Sequence, residues 1–374
     1  MRAFLNWLRP GSRVCGPGHD FPGNLRVWTK GITTPALQGL MTVVAGVIFT
    51  LPASAGIVWV NRTVANSGLA SNTVLSVMSS GGKIYAGSNS GVSISTDGGT
   101  SFSNPSAVSG KTTRAVFASG SNVYAVTSAN GLYISTDGGV NWTNKTSTNG
   151  LGSDSNYSVY DSGSNLYVGT ASGLSISTDG GNTWVTKTTA DGLGNNTIRG
   201  VYASGSNIYA ATNSGGLSIS TDGGNSWVTK TTSQGLANNN LLGVYASGSN
   251  VYVATNNGLS ISTDGGNTFT NTLASNTVYS VFANGSTLYA GTLSGLRIST
   301  NGGTSWTNYT TADGLGNSTI RGVYASGNNI FAATGGGGLS IGTSSSPVPE
   351  PSSIAIFGLG ALVIAYRNRR RLLK

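Results

Sequence analysis

Histidine and cysteine, on which much enzyme chemistry rests, are nearly missing from this 374-residue chain: Cys15 and His19, both near the amino terminus, are the only ones. Residues 57–343 contain neither, which excludes an internal disulfide, zinc sites built on thiolate or imidazole, a thiol nucleophile and a histidine general base there. The same stretch has no glutamate. Charged side chains make up 8% of the chain, against roughly 25% in ordinary globular proteins. Helical 3.6-residue periodicity is absent as well, so helical solenoids do not fit. Glycine is abundant, 57 residues without the every-third-residue rule of collagen. Regularly spaced aromatic and β-branched residues argue against a disordered polymer, and a β-rich repeat protein remains.

The formal net charge of +9 raises nucleic-acid binding, but the placement of the charges removes it. Half of the 20 lysines and arginines lie before residue 40 or in the last eight residues. Residues 57–343 hold the other ten, against nine aspartates, and lack the cationic footprint that phosphate neutralisation needs. No nucleic-acid partner, cofactor or metal site is expected.

The two ends read as addresses. Residues 37–55, LQGLMTVVAGVIFTLPASA, are an apolar run preceded by basic residues and closed by the small residues Ala53-Ser54-Ala55. This is the pattern of a secretory signal peptide cleaved after Ala55, with a retained membrane anchor as the alternative; on either reading the chain beyond Ala55 is exported. The other end carries Val348-Pro349-Glu350-Pro351, an apolar run over 354–366, and the cluster Arg367-Asn368-Arg369-Arg370-Arg371. As a helix that run would reach about 20 Å, short of the roughly 30 Å hydrocarbon core unless flanking serines and snorkelling arginines help. The arginines stay cytoplasmic by the positive-inside rule. The expected organisation is a leader and signal peptide over 1–55, a β domain over 56–343, a linker over 344–353, and a transmembrane segment with a basic tail over 354–374.

This tail resembles the PEP-CTERM sorting signal of Gram-negative bacteria. The resemblance implies that Val348, Pro349, Glu350 and Pro351 form a recognition motif for an exosortase, a membrane-embedded cysteine peptidase. It further implies passage across the inner membrane, transient anchoring there, and a final place at the cell surface or outside it, in species that usually make exopolysaccharide.

Between the ends the sequence repeats. STDGGNTW from Ser177 and STDGGNSW from Ser220 are the clearest copies, with others from Ser95, Ser135 and Ser262, and STNGGTSW from Ser299. The aromatic residues closing these phrases are Phe102, Trp142, Trp184, Trp227, Phe269 and Trp306. A period of roughly 41 residues, with short β-branched runs separated by Gly, Asn, Ser and Asp, marks four-stranded propeller blades. The last copy, from Val323 to Thr343, stops after three strands, while IVWVNRT at 57–63 aligns with WVTKT at Trp184 and Trp227. Trp59 is thus the seventh aromatic. The fold predicted is an all-β, seven-bladed propeller whose amino-terminal strand completes the last blade.

The Ser-x-Asp-x-Gly-x-Thr-Trp phrase resembles the Asp-box, or BNR repeat, of sialidases, sortilin-like receptors and several glycoside hydrolases. Asp97, Asp137, Asp179, Asp222 and Asp264, with Asn301 in the sixth copy, are expected to be structural: the carboxylate accepts turn amides, the glycines take positive φ, and the aromatic packs between sheets. A second phrase, ADGLGNNTIRGVYASG from Ala190 and ADGLGNSTIRGVYASG from Ala312, has weaker versions at Asn66, Asn149 and Gln234. It resembles the linker of two-component-regulator propeller repeats, and its variable Asp, Asn or Gln points to a turn-forming side chain.

Sialidase chemistry requires a glutamate that residues 57–343 lack, and Arg199 and Arg321 sit in matching linker phrases, so they read as part of the repeat. Inverting glycosidases need two carboxylates about 6.5 to 9.5 Å apart. Asp154 and Asp161 are the single local pair outside the repeated phrases and so the candidate catalytic residues. Tyrosines recur after the blade start (Tyr160, Tyr202, Tyr245, Tyr279, Tyr324) and in the second strand (Tyr85, Tyr124, Tyr167, Tyr209, Tyr252, Tyr289), mostly as core. The expected function is a non-catalytic surface protein that binds polysaccharide or other envelope proteins. The alternative is a glycoside hydrolase or lyase of the Asp-box propeller type.

Glu350→Ala is expected to leave the full-length protein in the inner-membrane fraction. Unchanged release of a shortened form, seen by immunoblot of fractionated cells, would reject the sorting reading.

Overall fold

The computed structural model describes residues 56–163 and 165–344. Cys15, His19, Ala53, Ala55, the 348–351 motif, the 354–366 run and the terminal arginines lie outside them. The described residues form seven antiparallel sheets. The innermost strands are Val74–Ser80, Thr113–Ser119, Asn156–Asp161, Ile198–Ser204, Leu241–Ser247, Val278–Asn284 and Ile320–Ser326. Each meets the next around an axis, and the last meets the first. This is the seven-bladed propeller read from the repeat.

Local chemistry explains each blade. In blade four, Ile198–Ser204 turns through Gly205, at φ 59°, into Asn207–Thr212. Leu217–Ser220 follows, and Val228–Lys230 closes the sheet at its outer edge. The two middle strands are buried on both faces, so alternation sorts side chains between two interfaces. Ile208 and Ala210 pack toward blade three, whereas Tyr209, Ala211, Leu217 and Ile219 pack toward blade five. The seven hydrophobic clusters are accordingly seven blade-to-blade interfaces. Each takes one aromatic from the repeated series: Phe102, Trp142, Trp184, Trp227, Phe269, Trp306 and Trp59 each join a different cluster.

Closure comes from the amino-terminal strand. Val58–Arg62 pairs antiparallel with 339–343, with Trp59 opposite Gly342 and Arg62 opposite Leu339. This matches blade four, where Lys230 lies opposite Leu217. Asn61 adds two side-chain bonds across the seam, accepting from Ser340 Oγ at 2.6 Å and donating to the Gly314 carbonyl at 2.9 Å.

One blade departs from the four-strand pattern. In the first, the outer strand shrinks to a single bridge between Ile94 and Ser103, leaving a three-stranded sheet. Pro105 stands two residues on; its missing N–H and fixed φ, with the extended geometry it imposes on Asn104, stop the ladder.

Trp59→Ala is expected to lower stability by about 2 to 3 kcal/mol, as for truncation of a large half-buried aromatic. The urea midpoint should fall with unchanged slope, much as in Trp227→Ala; a neutral Trp59→Ala would show that the first strand does not lock the ring.

Candidate functional site

The repeated STDGG turns bond within themselves. In blade four, Ser220 Oγ donates to Asp222 Oδ1 at 2.8 Å and accepts from the Gly224 amide at 2.8 Å. The amides of Asn225 and Ser226 donate to Asp222 Oδ1 at 3.0 and 2.9 Å. The Ser226 hydroxyl on Oδ2, then the Ser226 amide and Ser220, hold the carboxyl well below the usual range, as the matching donors do in Asp97, Asp179 and Asp264. Asp137 is lowered to about 2, first by the Asn141 amide. Asn301 fills the same place in blade six, accepting from Ser299 Oγ and the Ser305 amide, each at 2.9 Å, and donating to Ser305 Oγ. The second glycine of each turn has a packing role besides its positive φ. At Gly303, φ 94°, an added methyl would stand 2.5 Å from Ile261 Cδ1 of the preceding blade.

The remaining aspartates are also in use. Asp191 and Asp313 accept from the Thr188 and Thr310 amides at 2.8 Å, the place that Asn66, Asn149 and Gln234 take in other linkers. Asp154 accepts from the Ser147 amide at 2.6 Å, as Asn196 and Asn239 do from Thr189 and Thr232. Asp161 accepts from Tyr124 Oη at 3.0 Å and the Gly163 amide at 2.7 Å. Asp154 and Asp161 flank opposite ends of the Asn156–Asp161 strand. At about 3.3 Å per residue they are roughly 20 Å apart, so the candidate pair is not brought together. Among the described residues no cluster of three His, Cys, Asp or Glu could hold a metal ion.

The axis carries two rings of side chains. One joins Phe117, Tyr160, Tyr202, Tyr245, Phe282 and Tyr324, with successive centroids 4.6 to 5.2 Å apart and Met78 in the remaining place. Burial, then the neighbouring Tyr202, raises the Tyr160 and Tyr245 hydroxyls above the ordinary range. The second-strand tyrosines are buried, as expected of core; burial pushes Tyr289 up to about 12.

The second ring was hidden by the repeat. Each innermost strand has a β-bulge after its first residue, and the residues passed over by the pairing include Arg114, Tyr157, Arg199, Tyr279 and Arg321. Leu75 and Leu242 complete the ring. Bulges re-aim side chains. Here the Arg114 and Arg199 guanidinium carbons lie 4.2 and 5.0 Å from the Tyr157 centroid, and Arg321 lies 4.3 Å from that of Tyr279. Tyr279 therefore belongs to this ring; Phe282 takes the place in the aromatic ring that the repeat spacing suggests for Tyr279. Arg199 and Arg321 likewise have a placement that their repeated phrases did not disclose. Clefts include one of about 360 Å³ between blades four and five, lined by Tyr209, Lys230 and Asp264, and one of about 190 Å³ lined by Trp184.

Residues 347–371 match a protein-sorting motif family. The tail is a PEP-CTERM sorting motif. It marks the chain for export, for a transient carboxyl-terminal anchor and for exosortase processing. Residues 42–165, about a third of the chain, match the DUF6242 beta-propeller domain. No curated protein matches the sequence. Among the described residues no helix is long and apolar enough to cross a membrane.

Solved structures share the fold at low identity. The extracellular domain of the hybrid two-component system BT3049 of B. thetaiotaomicron is 19% identical at TM-score 0.67, covering 78% of this chain and 42% of its own. YCF48 bound to D1 peptide is 16% identical at TM-score 0.59, with 78% and 95% covered. The GH74 enzyme of Niastella koreensis is 21% identical at TM-score 0.54, with 73% and 43% covered. This chain thus spans less than half the length of the first and third.

Asp222→Asn is expected to destabilise less than Asp222→Ala, since Asn301 already serves in blade six. Because the turn carboxyls are lowered in the folded state, their stabilisation is full above about pH 4 and declines below it, that of Asp137 being lost as pH falls through about 2. The urea midpoint should fall through that window, and less steeply in Asp137→Asn; an identical profile would show that this carboxylate does not contribute.

Proposed function

We propose that the protein is a non-catalytic propeller displayed at the cell envelope, where it binds exopolysaccharide. One observation carries the non-catalytic part: all nine aspartates of residues 57–343 accept hydrogen bonds within turns or from Tyr124, and the region has no glutamate. A general acid and a general base must be free to exchange protons and must face each other across a bond. Carboxylates already engaged by turn donors, spread around a ring, meet neither requirement. The sorting motif supports the envelope address. The likeness to a GH74 enzyme and to a sensor domain is one of fold, and the same scaffold hosts both kinds of function.

The test is incubation of the released protein with the producing organism's own exopolysaccharide. Co-sedimentation with the polymer and no new reducing ends are expected. Growth of reducing ends or of unsaturated sugars would replace this reading with a hydrolase or a lyase, and an absence of co-sedimentation would remove the polysaccharide part.

A further inference from the structure

The bulge ring departs from the repeat, alternating Leu, Arg and Tyr, and is where the cations gather. Of the ten lysines and arginines in residues 57–343, three stand at this one level of the axis, at the end of the innermost strands that the blade linkers enter. Like charges placed together are unfavourable unless something offsets them. No carboxylate does so: the single ion pair among the described residues is Lys187 with Asp191. Arg114 donates to Ser155 Oγ and the Asn156 carbonyl, both at 3.2 Å, and Arg199 reaches Asn213 Oδ1 at 3.4 Å. Arg199 Nε is buried without a partner. Arg321 is exposed and donates no side-chain hydrogen bond among the described residues. What holds the guanidinium planes is the rings beneath them: Tyr157 under both Arg114 and Arg199, and Tyr279 under Arg321. A ring beside a guanidinium positions it without using up its N–H donors: those of Arg321 stay free, and Arg114 and Arg199 keep the donors not taken by Ser155, Asn156 and Asn213, which is what a carboxylate needs.

We infer that this axial mouth is an anion site for the carboxylate of an acidic sugar, a uronate unit of a polysaccharide. The choice of a sugar rests on the proposed function; the choice of an anion rests on the three arginines alone. Guanidinium edges bond the carboxylate, while Leu75, Leu242 and the free parts of the two tyrosine rings offer apolar surface to the sugar's C–H face. Arg199 and Arg321 fall within matching repeat phrases, so their placement at one level of the axis is a product of the ring: residues in blades two, four and seven share one register position at the same end of the innermost strands.

The test is calorimetric titration of the full chain in detergent with trigalacturonate, set beside its methyl ester and a short peptide with a free carboxyl terminus. The acid form is expected to bind, with affinity falling as salt is raised, and the uncharged ester to bind at least tenfold more weakly. Arg199→Gln and Arg321→Gln should each weaken binding about tenfold with the thermal midpoint unchanged. Arg321→Lys should recover part of the loss. Absence of binding by the parent, equal binding of acid and ester, or parent-like affinity in both glutamine variants would overturn the inference, as would tighter binding of the peptide. The broader reading fails separately: if the parent does not sediment with exopolysaccharide, that reading falls while the titration still decides the site. If both glutamine variants sediment as the parent does, the site falls and the broader reading stands.

Discussion

The contact on which the ring depends is the one between each STDGG turn and the blade before it. The turn's second glycine brings its backbone against an isoleucine of the preceding third strand, as Gly303 does with Ile261 and Gly139 with Ile94. The aromatic three residues on joins the same interface. A side chain at that glycine would hold the blades apart, and loss of the aromatic would leave a gap in a core packed near crystal density. The aspartate keeps the turn in the shape that allows this approach, and its charge stays at the rim. Gly99 meets Ile341 in the same way, so the contact that links neighbours also closes first blade onto last.

Repetition explains the economy of the molecule, and its irregularities show where the chain had to do something else. The linkers that begin Thr63, Thr146, Thr188, Thr231 and Thr310 share one capping box, with the side chain three residues on bonding back to the threonine amide. Two linkers lack it: the proline-containing segment after the first blade, and the one near Leu273, which has positive φ at Leu273 and Ser275. The first of these also costs blade one its outer strand. Neither disturbs the axis, because the innermost strands are held by their neighbours on both sides.

The distribution of charge follows from the same architecture. Aspartates serve as hydrogen-bond acceptors for turns at the blade rims and linkers, so they are spaced around the ring and never gathered. The bulge residues do the opposite: one register position, repeated seven times, is drawn into a circle about the axis. A nearly neutral domain thereby holds a local concentration of positive charge with no carboxylate beside it.

How much was legible depended on the distance over which each feature is decided. Strands, turns and the seven-blade count could be read from the repeated text, because hairpins are local and a period held near 41 residues leaves one way to stack them. The closing strand was legible too, since Trp59 and its neighbours copy the phrase at Trp227. The hydrogen bonds of the STDGG aspartates were readable because donors and acceptor lie within four residues. The separation of Asp154 and Asp161 was not, for closeness in sequence along an extended strand means distance in space. Nor was the meeting of Arg114, Tyr157 and Arg199: a bulge that shifts the register by one residue is invisible in composition. Side chains about forty residues apart become neighbours only when successive blades pack together.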